Sequence, residues 1–154
     1  MTIRVLMLGK NKDAYITEGV ADFLKKISPF CELELVYLKD ERVHEDIRKI
    51  LENEAETIAS HIAAGEFVIA LHDKGKSFDT EGFAAYFSKL KDQGVGKITF
   101  IIGSSHGLSP AILEKAHMKL SLSPLTMNHQ VVRLVLLEQV YRIFTILRGM
   151  KYHK

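Results

Sequence analysis

Strand-like and helix-like segments alternate along the whole chain, and this alternation limits the possible folds more than any other feature. Short apolar runs predict strands at residues 3–8, 67–71, 97–102 and 120–123. Alternating polar and apolar residues at 31–38 predict a half-exposed strand, a candidate for the sheet edge. Apolar residues at helical spacing predict helices at residues 15–27, 43–63, 79–91, 110–117 and 128–148. The alternation therefore predicts an α/β fold, with a mostly parallel sheet and helices on both of its faces.

Length and composition fit a single folded domain over residues 1–154. Of the 154 residues, 47% are hydrophobic and 26% are charged, close to the globular average. The net charge of +2 excludes a uniformly basic nucleic-acid-binding protein, so any such site must come from local clustering. No apolar stretch is long enough to span a membrane. Cys31 is the only cysteine, which fits a reducing cytoplasm. We expect a cytoplasmic protein with no membrane partner.

Parallel sheets bind ligands outside the carboxyl ends of their strands, so the loops after Leu8, Leu71, Ile102 and Ser123 are the candidate binding loops. The glycine loop, residues 103–110, lies between a buried strand and a helix start. Its glycines could let a ligand approach the backbone, or could serve only a tight turn. The loop matches neither the P-loop nor the dinucleotide-binding motif.

The final helix is apolar around almost its whole circumference over residues 131–147. Such a helix is buried on all sides, either against a second copy, which we favour, or at the centre of one chain. His129, Arg133, Glu138 and Arg142 are polar exceptions, so they must pair, meet solvent or line a site. For Glu138, a structural pair with an arginine at a dimer interface is an equal alternative.

The chain ends in Tyr152, His153 and Lys154. An aromatic ring, a titratable ring and a cation suit the binding of an unstacked nucleotide, although chain ends are often frayed. The seven histidines show no spacing typical of metal ligands. We therefore expect no metal site.

Several segments together resemble one known family. They are the start at residues 5–10, the glycine loop, the loop and helix at residues 122–142, and the ending Tyr152-His153-Lys154. The combination resembles the RlmH family over the whole chain. This family comprises bacterial ribosomal RNA large-subunit pseudouridine N3-methyltransferases of the SPOUT class.

The resemblance implies a deep C-terminal trefoil knot, a homodimer and S-adenosylmethionine as the cofactor. The implied substrate is N3 of a pseudouridine in 23S rRNA, within the large subunit or, as we favour, the assembled 70S ribosome. The residues implied to bind the cofactor are Leu71, Gly103, Leu122, Ser123, Pro124, Leu125, Thr126 and Met127. The residues implied to be catalytic are His129, Arg133, Arg142, Tyr152 and His153. Those implied to bind RNA are His129, Arg133, Tyr152, His153 and Lys154, with the tail crossing to the partner protomer.

Methyl transfer from this cofactor needs positioning and an acceptor for the N3 proton, but no metal. His129, His153 or a water molecule could accept the proton. Ser104 stands where family members commonly have a second glycine, and Asn128 where many have proline. Ser104 is small and Asn128 suits a helix N-cap, so we expect both changes to be tolerated. Alternative functions are a non-catalytic RNA- or ribosome-binding module of the same fold, or a generic nucleotide-binding protein.

Overall fold

The computed structural model describes residues 1–40 and 46–153. Its strands are β1 (Thr2–Leu8), β2 (Glu32–Leu38), β3 (Phe67–Ser77), β4 (Lys97–Ile102) and β5 (Met118–Ser121). Its helices are α1 (Ala14–Ile27), α2 (Ile47–Ser60), α3 (Thr80–Asp92), α4 (Pro110–Lys115) and α5 (His129–Leu147). The helix predicted at 43–63 begins within the described residues at Ile47, after an Asp46 N-cap, and residues 43–45 lie outside them.

The strands form one sheet in the order β2-β1-β4-β3-β5, and every pair between neighbours is parallel. The predicted α/β class is confirmed, and β2 is an edge strand, as its alternating sequence indicated. No described helix is both long and apolar enough to cross a membrane. The trefoil knot implied by the resemblance stays a prediction.

Helices cover both faces of the sheet because alternate strand residues point to opposite sides. On one face Ile3, Val5 and Met7 of β1 pack with α1, α3 and α5. On the other face Leu6 and Leu8 pack with α2 and α4. The carboxyl ends of the strands are thus left uncovered as a possible binding edge.

The helix α5 packs between α1 and α3, within a single chain. Leu136, Val140 and Ile143 are fully buried there, while Val131 and Val135 stay half-buried. A single chain therefore covers most of the apolar circumference of α5. The apolar circumference by itself is no longer an argument for a second copy. A charge at Leu136 or Val140 would disrupt the monomer core and would not report on dimerisation.

The strand predicted at residues 67–71 is longer in the structure, where β3 continues to Ser77. Leu71 and Lys76 both align with Leu120 of β5, so the residues between them leave the ladder as a bulge. The apolar run ends at Leu71, and hydrophobicity therefore could not reveal the polar continuation. The bulge carries His72 and Asp73 to the carboxyl edge of the sheet.

An ion-pair network joins β1, β2 and β4 on one face of the sheet. Arg4 Nε lies 2.9 Å from Glu34 Oε2, and Arg4 Nη1 lies 3.1 Å from Glu66 Oε1. Lys97 Nζ lies 3.4 Å from both carboxylates. The hydrogen bond from Arg4, followed by Lys97, lowers the pKa of Glu34 below its usual value.

Replacing Glu34 with Gln should reduce the free energy of unfolding at pH 7, by no more than about 1 kcal/mol for a partly exposed pair. Because the folded-state pKa is lowered, this stabilisation exists above the unfolded-state pKa and disappears as the pH falls through the folded-state pKa. Urea unfolding at pH 7 and near pH 3 should show the difference shrinking. Glu18→Gln on the exposed face of α1 is the control. An equal loss for Glu34→Gln at both pH values would contradict the prediction.

Candidate active site

A cleft of about 420 Å³ opens at the carboxyl ends of β3, β4 and β5. Its walls are the segments at residues 71–73, 103–108 and 122–127, together with His129 and Val132 of α5. This volume falls within the range of small-molecule sites. The position matches the rule that parallel sheets bind ligands at this edge.

The residues that the resemblance assigns to the cofactor come together in this cleft, except Pro124. Pro124 belongs to the same loop but does not line the cleft. Residues that the resemblance did not assign to the cofactor also line it: His72, Asp73, Ser104, Ser105, His106, Gly107, Leu108, Leu120 and Val132. Most of them lie in the loops after Leu71 and Ile102, so the rule about strand ends pointed to their location without naming them.

Gly103 is required by a tight turn within the chain. A Cβ atom at this position would lie 2.4 Å from the carbonyl oxygen of Gly107. The turn is closed by a hydrogen bond in which the Gly107 amide donates to the carbonyl of Ser104 at 2.9 Å. The tight-turn alternative therefore holds, and any side chain at Gly103 would reshape one wall of the cleft.

Ser104 anchors this turn to α2. Its hydroxyl donates to Glu54 Oε2 at 2.8 Å and accepts from the His106 amide at 3.3 Å. Glu54 is almost completely buried, at 2% exposure. The glycine common in the family at this position could make neither bond, so the departure adds an attachment to the cleft wall.

Hydrogen bonds between residues close in sequence also shape the cleft wall at residues 122–127. The Ser123 hydroxyl accepts from the Leu125 amide at 3.0 Å. Asn128 then caps α5, accepting from the Gln130 amide at 2.7 Å, which is the N-cap role expected for it. The Leu125 side chain lines the cleft and is 75% exposed.

His72 and Asp73 place polar groups in the bulge of β3. The Lys74 amide donates to His72 Nδ1 at 3.1 Å and to Asp73 Oδ1 at 2.9 Å. His72 Nδ1 also lies 3.4 Å from Asp73 Oδ1. Among the described residues no three His, Cys, Asp or Glu side chains converge as metal ligands would.

Arg133 was predicted to contact RNA as well as to shape the active site, and the structure corrects the first part. Its side chain is fully buried. It donates to the carbonyls of Leu8 at 2.7 Å and Gly9 at 3.0 Å, and to Asn11 Oδ1 at 2.9 Å. Burial lowers the pKa of the guanidinium. Arg133 therefore holds the β1–α1 loop and does not reach the surface.

The tail packs against the outer face of α5 in its own chain. The Tyr152 ring lies 4.7 Å from the Arg142 guanidinium and 4.8 Å from the Tyr141 ring. The Tyr152 hydroxyl donates to Glu138 Oε1 at 3.2 Å, and Arg142 Nη1 lies 3.4 Å from His153 Nδ1. Lys154 lies outside the described residues.

Glu138 pairs with Arg142 one helical turn away, with Arg142 Nε 3.0 Å from Glu138 Oε1. This bond raises the pKa of Arg142, which therefore stays charged. The pair forms within one chain, whereas the structural alternative for Glu138 placed an arginine–glutamate pair at a dimer interface. Glu138 and Arg142 also hold the tail. Thirteen residues separate His129 from Arg142, about 20 Å along a helix. In one chain the cleft and the tail cluster (Glu138, Arg142, Tyr152 and His153) therefore lie at opposite ends of α5.

Comparison with known proteins identifies the family of the chain. A family model described as "Predicted SPOUT methyltransferase" matches residues 1–153. The chain belongs to the SPOUT methyltransferases. Relatives named "Ribosomal RNA large subunit methyltransferase H" share 43% identity in Carboxydothermus hydrogenoformans and 42% in Leuconostoc mesenteroides, each over 159 aligned residues covering 100% of both chains.

Within the SPOUT methyltransferases, this identity places the chain in the family of those relatives, as the resemblance implied. The crystal structure of a probable methyltransferase from Bordetella pertussis has a TM-score of 0.55 at 17% identity, covering 92% of this chain and 93% of that chain. At this identity the likeness shows the fold alone. The family model and the two relatives show that the chain is a methyltransferase. A generic nucleotide-binding protein is therefore no longer an alternative.

Proposed function

We propose that this enzyme transfers a methyl group from S-adenosylmethionine to N3 of a pseudouridine in 23S rRNA, on the assembled 70S ribosome in the cytoplasm. The cleft is the observation that carries the proposal. Its walls are the three loops that the family resemblance assigns to the cofactor, and they meet at the edge where parallel sheets bind ligands. The names of the relatives support a ribosomal RNA substrate.

The cleft fits the proposed cofactor in size and chemistry. Its volume of about 420 Å³ suits a nucleoside derivative, and its lining combines leucines with serine, threonine and histidine residues. The 103–107 turn, the 122–127 loop and Leu71 would hold the molecule. Bound there, S-adenosylmethionine supplies an electrophilic methyl group, so the reaction requires no metal ion.

The protein's own part is then to position the base and to handle one proton. His129 lines the cleft at the start of α5, which makes it the nearer of the two histidines proposed as proton acceptor. Holding the two reactants in line supplies much of the acceleration.

A homodimer would bring the tail to the cleft. The two sites lie at opposite ends of α5, about 20 Å apart along the helix, so they meet if two copies pair with their α5 helices antiparallel. A two-fold axis would then form two identical composite sites. The half-buried Val131 and Val135, and the exposed Leu147, Met150 and Tyr152, give such an interface apolar surface.

Tritium transfer from labelled S-adenosylmethionine tests the proposal. We expect incorporation into 70S ribosomes at a single 23S nucleotide, located by mass mapping, and little into free rRNA. Cofactor binding without any transfer would favour the non-catalytic RNA-binding module. Transfer to a different nucleotide would contradict the proposed substrate while leaving the methyltransferase activity intact.

A further inference from the structure

A cluster of exposed lysines lies beside the cleft, at the carboxyl ends of β1 and β2. Lys10 and Lys12 are exposed on the β1–α1 loop, and Lys39 is exposed directly after β2. The two strands end side by side, because the Gly9 amide donates to the Leu38 carbonyl at 2.7 Å. The three ammonium groups therefore belong to one edge of the protein.

Exposed aromatic rings accompany these lysines. Tyr37 is 39% exposed and Tyr15 is 60% exposed. Asn11, between the two loop lysines, donates from Nδ2 to the Tyr37 hydroxyl at 3.0 Å. Cations interleaved with exposed rings are typical of surfaces that bind RNA, where the rings stack on bases and the cations meet phosphates.

Among residues 1–40 and 46–153, the carboxylates nearby do not cancel this charge. Asp40 packs under the loop, where a Cβ atom at Gly9 would lie 3.0 Å from Asp40 Oδ2. Its charge acts on the buried Arg133 guanidinium, whose pKa it raises against the larger effect of burial. Asp13 is then the one exposed carboxylate beside three lysines in this part of the described chain.

Two side chains of α5 hold the backbone of the β1–α1 loop in place. Gly9 has a φ of 75°, a conformation that favours glycine, and Arg133 donates to its carbonyl at 3.0 Å. Gln130 Nε2 donates to the Lys10 carbonyl at 3.1 Å, and Gln130 Oε1 accepts from the Lys12 amide at 3.2 Å. Burying a guanidinium costs free energy of desolvation. The chain uses the buried Arg133 to hold the β1–α1 loop despite that cost, which indicates that the position of the loop is important for function.

The same helix turn connects the loop to the cleft. Gln130 directly follows His129, and its Nε2 lies 3.4 Å from His129 Nε2. His129 lines the cleft. A nucleic acid strand with its target base at the mouth of the cleft, beside the bound cofactor and His129, would have its neighbouring backbone on the side of the lysines.

We propose that Lys10, Lys12, Lys39, Tyr15 and Tyr37, here called the lysine surface, bind the rRNA backbone next to the target nucleotide. This inference rests on the proposed function and names the second contact surface for the same substrate. The Gln130 and Arg133 side chains act as positioning residues for it. It also explains how a chain with a net charge of +2 holds RNA, because the basic groups are concentrated where the backbone would lie.

The test compares Lys10→Gln/Lys12→Gln with the matched control Lys89→Gln/Lys91→Gln, which removes two exposed lysines from α3 on a different part of the surface. Binding to 70S ribosomes is measured by cosedimentation at fixed magnesium and KCl between about 50 and 200 mM. Each lost phosphate contact removes about 0.7–0.9 from the slope of log affinity against log salt. We expect the loop variant to lose about 1.5 from this slope, and the control to match the wild type.

Further measurements separate this inference from the proposed function. Calorimetry should show unchanged S-adenosylmethionine binding in the loop variant, because the lysines do not line the cleft. A wild-type salt slope in the loop variant would overturn the lysine surface, even where methyl transfer by the wild type establishes the function. Loss of the dimer in the loop variant, seen by sedimentation, would assign the loop to an interface between copies and would also overturn it.

Discussion

Removing residues 152–154 should lower methyl transfer to ribosomes by about 100-fold or more, since a stacking ring and a titratable group would be lost from each site. The melting temperature should fall by only a few degrees. Tyr152 contributes one aromatic pair and one cation–π contact at the surface, together about 1–2 kcal/mol. In a chain of this size that equals about 2–8 °C. Rates of tritium transfer and thermal unfolding measure the two effects.

Lys151→Gln is the matched control for the tail, because Lys151 is exposed and adjacent to Tyr152. We expect this variant to retain most of the activity. If removing residues 152–154 reduces transfer no more than Lys151→Gln does, then the tail is a surface segment without a role in the reaction.

Mixed dimers test whether the tail acts on the partner's cleft. One protomer lacks residues 152–154, and the other carries Ser105→Trp, which would fill the cleft from its exposed wall. Each homodimer should be inactive, while the mixed dimer should regain one working site from the intact cleft of the first and the tail of the second. Subunit exchange is verified by mass spectrometry, and sedimentation verifies that wild type is a dimer. Exchanged dimers without activity, or a monomeric wild type, would contradict the composite site.

The layout of the fold was accessible from the sequence because each element carries a local signal. Apolar runs such as β4 and the Ser109-Pro110 helix start depend on nearest neighbours along the chain, and the structure confirms both. The polar half of β3 was missed, because its pairing with β5 depends on contacts distant in sequence. The apolar circumference of α5 was likewise ambiguous, since composition cannot distinguish cover by α1 and α3 from cover by a second chain.

The candidate site, like the fold, could be predicted from the sequence only in part. The rule about strand ends identified the loops that form the cleft, yet the bulge carrying His72 and Asp73 follows from β-sheet register alone. Arg133 shows the opposite case, because a polar residue in an apolar helix had to pair, meet solvent or line a site. The structure pairs it with the carbonyls of the β1–α1 loop, a partner more than 120 residues away that no local pattern indicates.

Filling the cleft should abolish cofactor binding. Gly103→Val would narrow the cleft, but even one added carbon there would meet the Gly107 carbonyl oxygen at 2.4 Å. That variant would therefore lose affinity through a rebuilt turn, and would also lose stability. Ser105 is exposed, lines the same cleft and lies on the turn itself, so Ser105→Trp would occupy the volume without disturbing buried contacts.

We expect Ser105→Trp to weaken S-adenosylmethionine binding by about 100-fold or more, because an indole ring takes up much of a cleft of about 420 Å³. Ser105→Ala, which removes only the hydroxyl, should bind nearly as wild type, and both variants should melt within about 2 °C of it, as exposed substitutions usually do. Calorimetry with the cofactor alone measures the affinity and keeps ribosome binding out of the result. Gly103→Ala, by comparison, should lose both affinity and melting temperature, since its Cβ collides with backbone. Unchanged affinity in a well-folded Ser105→Trp variant would place the cofactor outside this cleft, and the roles proposed for the 103–107 turn and the 122–127 loop would fall with it.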